Sequence, residues 1–241
     1  MQASPAVSDS PAGTMQEPEM QAGIDAITSL AATDPTPAEG WSEAGTHAGG
    51  VRCHTRVQPG CPVLMLKAKR RVAGAARCGR GVDALVKFCT GIETLDVLDS
   101  TYVSDTAVCL TAPSEDTRTR VHGVYSAVWG LPTPFLWNRE MVWKEAVERR
   151  ADGVGVVCAI SVEHPDKPLP EARGERLMRG QIVLAGYVFE PVEGSDDGDV
   201  DVSYIVQVDP RGSLPLWLVN MLVTDQAGNV QAIAKQFGKD P

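Results

Sequence analysis

The sequence is poor in aromatic residues and has no long hydrophobic run. Phe, Trp and Tyr make up 5% of the 241 residues, so the core of a folded domain must be largely aliphatic. The longest apolar run, residues 182–189, is far shorter than the roughly 20 residues that a membrane-spanning helix needs. Hydrophobic residues nevertheless make up 43% of the chain, which is enough to bury a substantial core. We therefore predict a soluble globular protein.

The sequence also lacks the patterns of a metal site, a disulfide framework or a targeting segment. None of the six cysteines forms a CxxC pair, and the four histidines are dispersed. The N-terminus has neither the basic region and apolar core of a secretory signal nor the Arg-rich character of a mitochondrial presequence. No Gly-rich phosphate loop is present. These absences predict a cytoplasmic protein with reduced thiols, no bound metal and no cofactor.

Positive charge is absent from the first 51 residues, and negative charge is absent between Glu43 and Asp83. The first segment contains seven acidic residues, which account for most of the net charge of −9. The charged residues of the second segment are all basic: Arg52, Arg56, Lys67, Lys69, Arg70, Arg71, Arg77 and Arg80. A solvated strand face is the simplest interpretation, and a transient contact with an anionic membrane is the alternative. Nucleic-acid binding is not expected, because no aromatic residues that could stack on bases are interleaved.

The composition divides the chain into two parts. Residues 1–48 are rich in Ala, Pro, Ser, Thr, Gly and acids, which predicts a largely disordered tail. Within it, Ile24, Ile27 and Leu30 recur at helical spacing and mark a possible short helix. Residues 49–241 form the predicted folded domain.

Strand-like segments dominate this domain. Eight segments are rich in β-branched or alternating apolar residues, namely 51–57, 63–72, 101–110, 119–128, 139–149, 154–163, 179–191 and 202–209. Two short helices are predicted at residues 83–89 and 92–98, and a longer one follows Pro215. In the longer helix, apolar residues recur every three or four positions up to Phe237. Short connections between successive strands, with helices only near the two ends, indicate an antiparallel α+β domain.

Three segments, in this order along the chain, resemble StAR-related lipid-transfer (START) domains. Asn138-Arg-Glu-Met-Val-Trp143 resembles their Pro-Arg-Asp-Phe-Val strand, with Arg139 kept. Residues 161–165, followed by Pro168 and then by residues 177–180, resemble a Ser-Val-x-His-Pro … Pro … Val-Arg-Gly/Ala segment. Residues 208–220 resemble the last strand, its Gly-x-Leu-Pro turn and the start of the closing helix. The resemblance extends over nearly the whole folded part.

The resemblance implies a helix-grip fold, in which a curved antiparallel β-sheet wraps around a long C-terminal helix and encloses a hydrophobic cavity. It also implies a monomer without catalytic residues that binds a single lipid and could also transfer it. The lipid could be a sterol, a phospholipid or a sphingolipid. Two alternatives are a cyclase-like enzyme on the same architecture, which would need inward titratable groups beyond Glu145, and a regulatory interaction module with a filled core.

Alternation along residues 139–149 identifies the side chains that face the expected cavity. Met141, Trp143, Glu145 and Val147 point one way, and Lys144 and Glu148 are among those that point the other way. Because Lys144 and Glu148 are expected to face water, the first set is predicted to face inward. Sterol-binding members of the family carry an Arg at the position of Glu145. The sterol-type polar pair is therefore not expected here.

Two roles for Glu145 remain open at this stage. It could bind a hydroxyl or a cationic headgroup, or it could pair with an inward Arg173, Arg176 or Arg179. Arg139 and Arg179 match family positions, and for both we favour a structural role at strand ends. The complete predicted ligand-binding set is Met141, Trp143, Glu145, Val147, Arg179, Val219, Leu222, Val223 and Val230.

Overall fold

The computed structural model describes residues 17–58, 61, 63–76, 81–110, 119–132, 135–170, 176–195 and 198–238. Its helices are α1 (Glu17–Ala32), α2 (Gly81–Phe88), α3 (Leu95–Leu98), α4 (Leu216–Asp225) and α5 (Gly228–Phe237). Its strands are β1 (Trp41–His47), β2 (Val51–Val57), β3 (Leu64–Val72), β4 (Tyr102–Leu110), β5 (Thr119–Trp129), β6 (Asn138–Arg149), β7 (Gly155–Ser161), β8 (Leu177–Arg179), β9 (Gln181–Pro191) and β10 (Val200–Asp209). The predicted α+β class is confirmed.

The strands form one sheet in the order β1-β2-β3-β10-β9-β7-β6-β5-β4. All neighbours along this path are antiparallel, and the short β8 pairs in parallel with β6. The last strand, β10, lies between β3 and β9 and so joins the first strands of the chain to the later ones. The chain leaves β10 directly into the turn before α4, which brings the C-terminal helices back over the sheet.

The inner face of the sheet, which carries Leu66, Val202 and Val206, is covered by α2, α4 and α5. These residues share a core with Leu85 of α2 and Val230 of α5, and all five are buried. The i, i+3, i+4 spacing of the C-terminal apolar residues therefore produces the predicted contact between a helix face and a sheet face.

The C-terminal helix, predicted as a single helix, is divided into α4 and α5 in the structure. The backbone N–H groups of Gln226, Ala227 and Asn229 each bond to the carbonyl oxygen three residues earlier, as in a 3₁₀ turn, and α5 begins at Gly228. Glycine has the weakest helix propensity after proline, so the break falls where the helix is least stable. The polar side chains of Gln226 and Asn229 are thereby placed on the inner side of the helices.

Helix α1 covers the opposite, outer face of the sheet, which carries Met65, Val188 and Ile205. Four apolar residues of the helix are completely or almost completely buried there: Met20, Ile24, Ile27 and Ala31. Gly23 permits a close approach, since a Cβ atom at this position would lie 2.7 Å from Ile160 Cδ1 and 2.8 Å from Cys158 Sγ. The helix is thus an integral layer of the fold.

The boundary expected between residues 48 and 49 therefore does not separate a tail from a domain in the structure. Strand β1 pairs with β2, and the boundary lies in the turn between them. Residues 17–32 are held against the sheet by apolar contacts that a composition rich in Ala, Pro and acids conceals. The first 16 residues of the predicted tail lie outside the described residues.

Several described members of the basic run between Arg52 and Arg80 are bound within the fold. Lys67 is only 2% exposed, and its ammonium group donates to the carbonyl oxygens of Leu30, Ala31 and Thr33 at the end of α1. Burial lowers the pKa of Lys67 to about 8, and the nearby charge of Lys69 acts in the same direction. Three contacts thus satisfy carbonyl groups that a helix end leaves unpaired.

Other members of the run form ion pairs across the sheet. Arg71 lies 2.8 Å from Asp201, and Lys69 lies 3.8 Å from Glu190. Arg77 and Arg80 lie outside the described residues. Across the part of the chain that the structure describes, no helix is long and apolar enough to cross a bilayer.

Candidate functional site

A cavity of about 190 Å³ lies between the inner face of the sheet and the helices α3, α4 and α5. Its wall is mostly apolar, with Met141, Trp143, Ile182, Val206, Val219 and Leu222 among the lining residues. Engineered protein cavities of about 150 Å³ already bind apolar molecules such as benzene. The helices and the sheet therefore do not meet in a filled core at this position, and a concave apolar space of this kind is the usual form of a small-molecule site.

Strand β6 contributes to the cavity as its alternation predicted, up to residue 145. Met141, Trp143 and Glu145 line the cavity. Val147 lies beyond its end and packs against the inner core instead. The prediction that Glu148 faces water is wrong. Glu148 is completely buried, because α1 covers the outer face on which it lies.

Glu145 is a buried carboxyl group with neutral hydrogen-bond partners. It is 4% exposed, and its Oε1 accepts a hydrogen bond of 2.8 Å from the backbone N–H of Gly91. Burial raises its pKa to about 8, although the hydrogen bonds from Gly91 and the Trp143 side chain act in the opposite direction. Glu145 is therefore mostly protonated at neutral pH.

The imidazole of His122 is the basic group closest to this carboxyl group among the ion-pair contacts of the described residues, at 3.8 Å from Nδ1 to Oε1. Burial lowers the pKa of His122, and the charge of Arg120 adds to the effect. His122 is thus neutral at pH 7. The contact does not supply the positive charge that would hold Glu145 ionised, and Nδ1 lies within hydrogen-bonding distance of the Tyr125 hydroxyl instead.

Arg179 does not reach Glu145, which corrects its predicted place in the ligand site. Strand β8 pairs with β6 in a register that sets Arg179 opposite Glu140, and the two side chains form an ion pair of 2.9 Å. The guanidinium group also donates to the carbonyl oxygens of Lys167 and Pro168. Arg173, another of the predicted partners of Glu145, lies outside the described residues.

Arg139 has the structural role that the sequence favoured. Its Nε donates to the carbonyl oxygen of Pro210 at 2.5 Å and its Nη2 to that of Arg211 at 3.1 Å, and its Nη1 bonds to the carbonyl oxygen of Trp137. These bonds fix the turn between β10 and α4. They also use three of the five N–H groups of a side chain that borders the cavity.

The helix residues of the predicted set divide between the cavity and the core. Val219, Leu222 and Val223 of α4 line the cavity. Val230 is completely buried in the core under α5 and does not border the cavity. Both helices nevertheless contribute to the wall, since Asn229 of α5 also lines the cavity.

A second polar group in the cavity wall was missed from the sequence. Gln226 Nε2 donates to Asp99 Oδ2 at 3.0 Å, and Gln226 Oε1 accepts from Asn229 Nδ2 at 3.3 Å and more weakly from the Tyr204 hydroxyl at 3.5 Å. All four residues line the cavity. We call Asp99, Tyr204, Gln226 and Asn229 the polar cluster. A signal was available, since Gln226 lies three and seven residues after Val223 and Val219 and so interrupts the apolar helix stripe.

Tyr187 extends the polar cluster along the sheet. Its ring stacks on that of Tyr204 with 4.5 Å between centroids. Burial raises the pKa of both phenols, and the charge of Asp99 raises them further, so both hydroxyls are protonated donors. Within the described residues, no group of three or more His, Cys, Asp or Glu side chains is arranged to hold a metal ion.

Comparison with known proteins gives one consistent family. The START domain family model matches residues 100–240. START domain-containing protein 10 of Mus musculus and that of Homo sapiens are each 33% identical to this chain over 99 residues, which is 41% of this chain and 30% of the relative. The match thus spans less than a third of those relatives.

Solved structures share the fold. The crystal structure of human STARD10 has a TM-score of 0.68 at 19% identity and covers 96% of this chain and 83% of that one. Human StAR-related lipid transfer protein 5 has a TM-score of 0.69 at 20% identity and covers 91% and 96%. The antiparallel sheet closed by C-terminal helices is therefore the helix-grip fold. Because the family model covers more than half of its residues, this chain belongs to the START domain family of lipid-binding and lipid-transfer proteins.

Proposed function

We propose that the protein binds one hydrophobic lipid molecule in its cavity without changing it chemically and carries it between membranes. The observation that supports this proposal is a mostly apolar cavity between sheet and helices in a member of the START domain family. A filled core, which a purely regulatory interaction module would have, does not account for this space.

Burial of the apolar part of the lipid supplies the driving force for binding. Removing apolar surface from water contributes about 25 cal/mol per Å², part of which is lost to ordering the ligand and the protein. The polar groups of the wall then determine orientation. A protonated Glu145 donates a hydrogen bond to a hydroxyl or carbonyl oxygen of the ligand, whereas its ionised form would attract a cationic group.

An apolar strip on α4 is the proposed membrane contact. Leu216, Trp217 and Met221 are exposed, Trp217 at 69%. They lie on the same helix as the cavity-lining Val219 and Leu222, so a membrane in contact with them would lie close to the cavity. Trp is favoured at membrane interfaces because its ring is apolar and its N–H remains hydrated. This strip replaces the basic run, much of which is bound within the fold.

Native mass spectrometry of the purified protein, before and after incubation with liposomes, tests the binding proposal. We expect an added mass equal to one lipid per chain. Extraction should recover that lipid unchanged. A protein that stays lipid-free with every liposome composition would contradict the proposal.

Transfer of a fluorescent lipid between two liposome populations tests the membrane contact. Leu216→Ser and Trp217→Ser should each slow transfer several-fold with little effect on binding in detergent-free solution. Leu110→Ser is the matched control. Leu110 is also exposed, but it lies at the far end of β4 from Thr101, which lines the cavity. A strong loss of transfer with added salt, equal for all variants, would instead indicate a basic membrane contact.

The cyclase-like alternative receives one supporting observation. Asp99, Tyr187 and Tyr204 are inward titratable groups beyond Glu145, which such an enzyme requires. Asp99 and Tyr204 both hydrogen-bond to the neutral amide of Gln226, an arrangement that a binding site also uses. A change in the mass of the extracted lipid after prolonged incubation would favour the enzyme.

A further inference from the structure

We propose that the polar cluster is the head-group subsite of the cavity and that it selects a lipid with an uncharged, hydroxyl-bearing head over a phospholipid. This inference rests on the proposed lipid binding and adds the class of ligand. It comes from the hydrogen bonds that the cluster leaves open and from the absence of a Lys or Arg within the cluster.

The internal hydrogen bonds of the cluster leave an acceptor on Asp99 and a donor on Gln226 available. Asp99 Oδ1 accepts from the backbone N–H and the hydroxyl of Thr101, at 2.9 and 2.7 Å, whereas Gln226 is the one partner of Oδ2 among the described residues. Gln226 Nε2 donates one of its two hydrogens to Asp99. A carboxylate oxygen accepts more than one hydrogen bond, and an amide nitrogen donates two. A hydroxyl group placed here would donate to Asp99 Oδ2 and accept from Gln226 Nε2.

The polar cluster itself contains no Lys or Arg that could pair with a phosphate. Arg139 is the only Lys or Arg among the described residues of the wall. Its Nε, Nη1 and Nη2 already donate to the carbonyl oxygens of Pro210, Trp137 and Arg211. Asp99 and Glu145 are both acids. A phosphate at the polar cluster would therefore lie beside the Asp99 carboxylate without a cation of the cluster to pair with, which is unfavourable.

An ammonium head fits the cluster less well than a hydroxyl does. It could pair with Asp99, because no Lys, Arg or His of the described residues forms an ion pair with this carboxylate. However, an ammonium group has no acceptor for the remaining N–H of Gln226, and that donor would lose its partner on burial. The cluster therefore matches a group that both donates and accepts.

Three lipids with identical acyl chains and different heads test the selection. The probes are dioleoylglycerol, dioleoyl phosphatidic acid and the amine-headed dioleoyl dimethylammonium propane, each presented in neutral liposomes. We expect uptake of dioleoylglycerol to exceed that of the phosphatidic acid at least tenfold, with the amine between them. Equal or better uptake of the phosphatidic acid would overturn the inference, and a preference for the amine would overturn its hydroxyl part.

Asp99→Asn separates a head-group role from a structural one. It keeps an oxygen for the Thr101 hydrogen bonds and removes the negative charge. Binding of dioleoylglycerol should weaken about tenfold, as expected for the loss of a hydrogen bond to a charged group. Binding of the phosphatidic acid should not weaken, so the preference falls by the same factor. A variant that binds both lipids equally less well would show that Asp99 only supports the fold.

Asp225→Asn is the matched control, because Asp225 is exposed and adjacent to Gln226. It should bind all three lipids like the wild-type protein. The two proposals fail differently. If none of the three probes, nor any liposome lipid, enters the wild-type protein, the proposed lipid binding is wrong. If the phosphatidic acid enters as readily as dioleoylglycerol, lipid binding stands and the head-group inference is wrong.

Discussion

Both faces of the sheet are covered by helices, but the two contacts are built differently. On the outer face, α1 places Met20, Ile24 and Ile27 directly on the strands and leaves a filled core. On the inner face, Val230 and Ile233 of α5 are buried in a filled core, whereas Val219, Leu222 and Val223 of α4 border the cavity. An apolar helix face alone therefore does not predict whether the helix and the sheet form a filled core or enclose a cavity.

Two of the buried carboxyl groups of β6, Glu145 on the inner face and Glu148 on the outer face, show the chemical side of the same difference. Glu148, under α1, forms an ion pair of 2.6 Å with Arg150, which in turn donates to Thr28 of the helix. Glu145, in the cavity, has the neutral donors Gly91 and Trp143. The filled face thus satisfies its buried acid within the protein. The cavity face leaves its acid able to respond to a ligand.

The largest effect is expected from breaking the filled face. Ile24→Asp would bury an unpaired carboxylate between α1 and the sheet, which typically costs several kcal/mol. A loss of about 4 kcal/mol lowers the melting temperature of a protein of this size by about 10 °C, measurable by thermal unfolding. Ala22→Asp adds the same side chain at an exposed position of α1 and should change little. Equal behaviour of the two variants would show that α1 is not held against the sheet.

Helix α1 shows which part of the fold can be predicted from the sequence and which part cannot. The spacing of Ile24 and Ile27 indicated a short helix, yet the acidic, proline-dotted composition of residues 1–48 favoured disorder. Docking depends on partners such as Met65 and Ile205, which are distant in sequence, and on the close approach at Gly23. Local composition cannot report such long-range contacts.

The candidate site shows a similar limit. Strand alternation correctly oriented Met141, Trp143 and Glu145 toward the cavity, because the side-chain period of two is a local property. It placed Glu148 in water, because the outer helix could not be foreseen from the strand. The polar cluster combines residues from the segment after α3, β10 and the α4–α5 break, and only the fold brings these together.

Glu145 and Glu148 of β6 give the next comparison. Glu148→Gln leaves Arg150 without its charged partner at a site where that side chain is 19% exposed, and we expect a cost of about 3 kcal/mol. Glu145→Gln at pH 7 should be neutral or slightly stabilising, because it keeps the shape and removes a group that resists ionisation. Denaturant unfolding of both variants measures the difference. A similar cost for both would mean that Glu145 also has a charged partner.

The pH dependence of stability sharpens this contrast. Folding raises the pKa of Glu145 from 4.5 to about 8, so its contribution to stability is fully present below pH 4.5 and is lost as the pH rises to about 8. Relative to Glu145→Gln, the wild-type protein should therefore lose at least about 2 kcal/mol between pH 5 and pH 9. Glu163→Gln, at an exposed site, should follow the wild-type curve. Parallel curves for the wild type and Glu145→Gln would contradict the assignment.

The smallest expected effect comes from adding volume to each face. Val219→Trp on α4 extends into the cavity, whereas Val188→Trp on β9 extends into the filled core under α1. Overpacking a filled core typically costs about 1–3 kcal/mol, and free space removes most of that cost. We therefore expect Val188→Trp to be less stable than Val219→Trp by about 1–2 kcal/mol in denaturant unfolding. Lipid uptake should show the reverse order, with Val219→Trp strongly reduced because the indole occupies the space of the ligand and Val188→Trp close to wild type. If Val219→Trp is the less stable variant and uptake is unchanged, the space under α4 is not the lipid site.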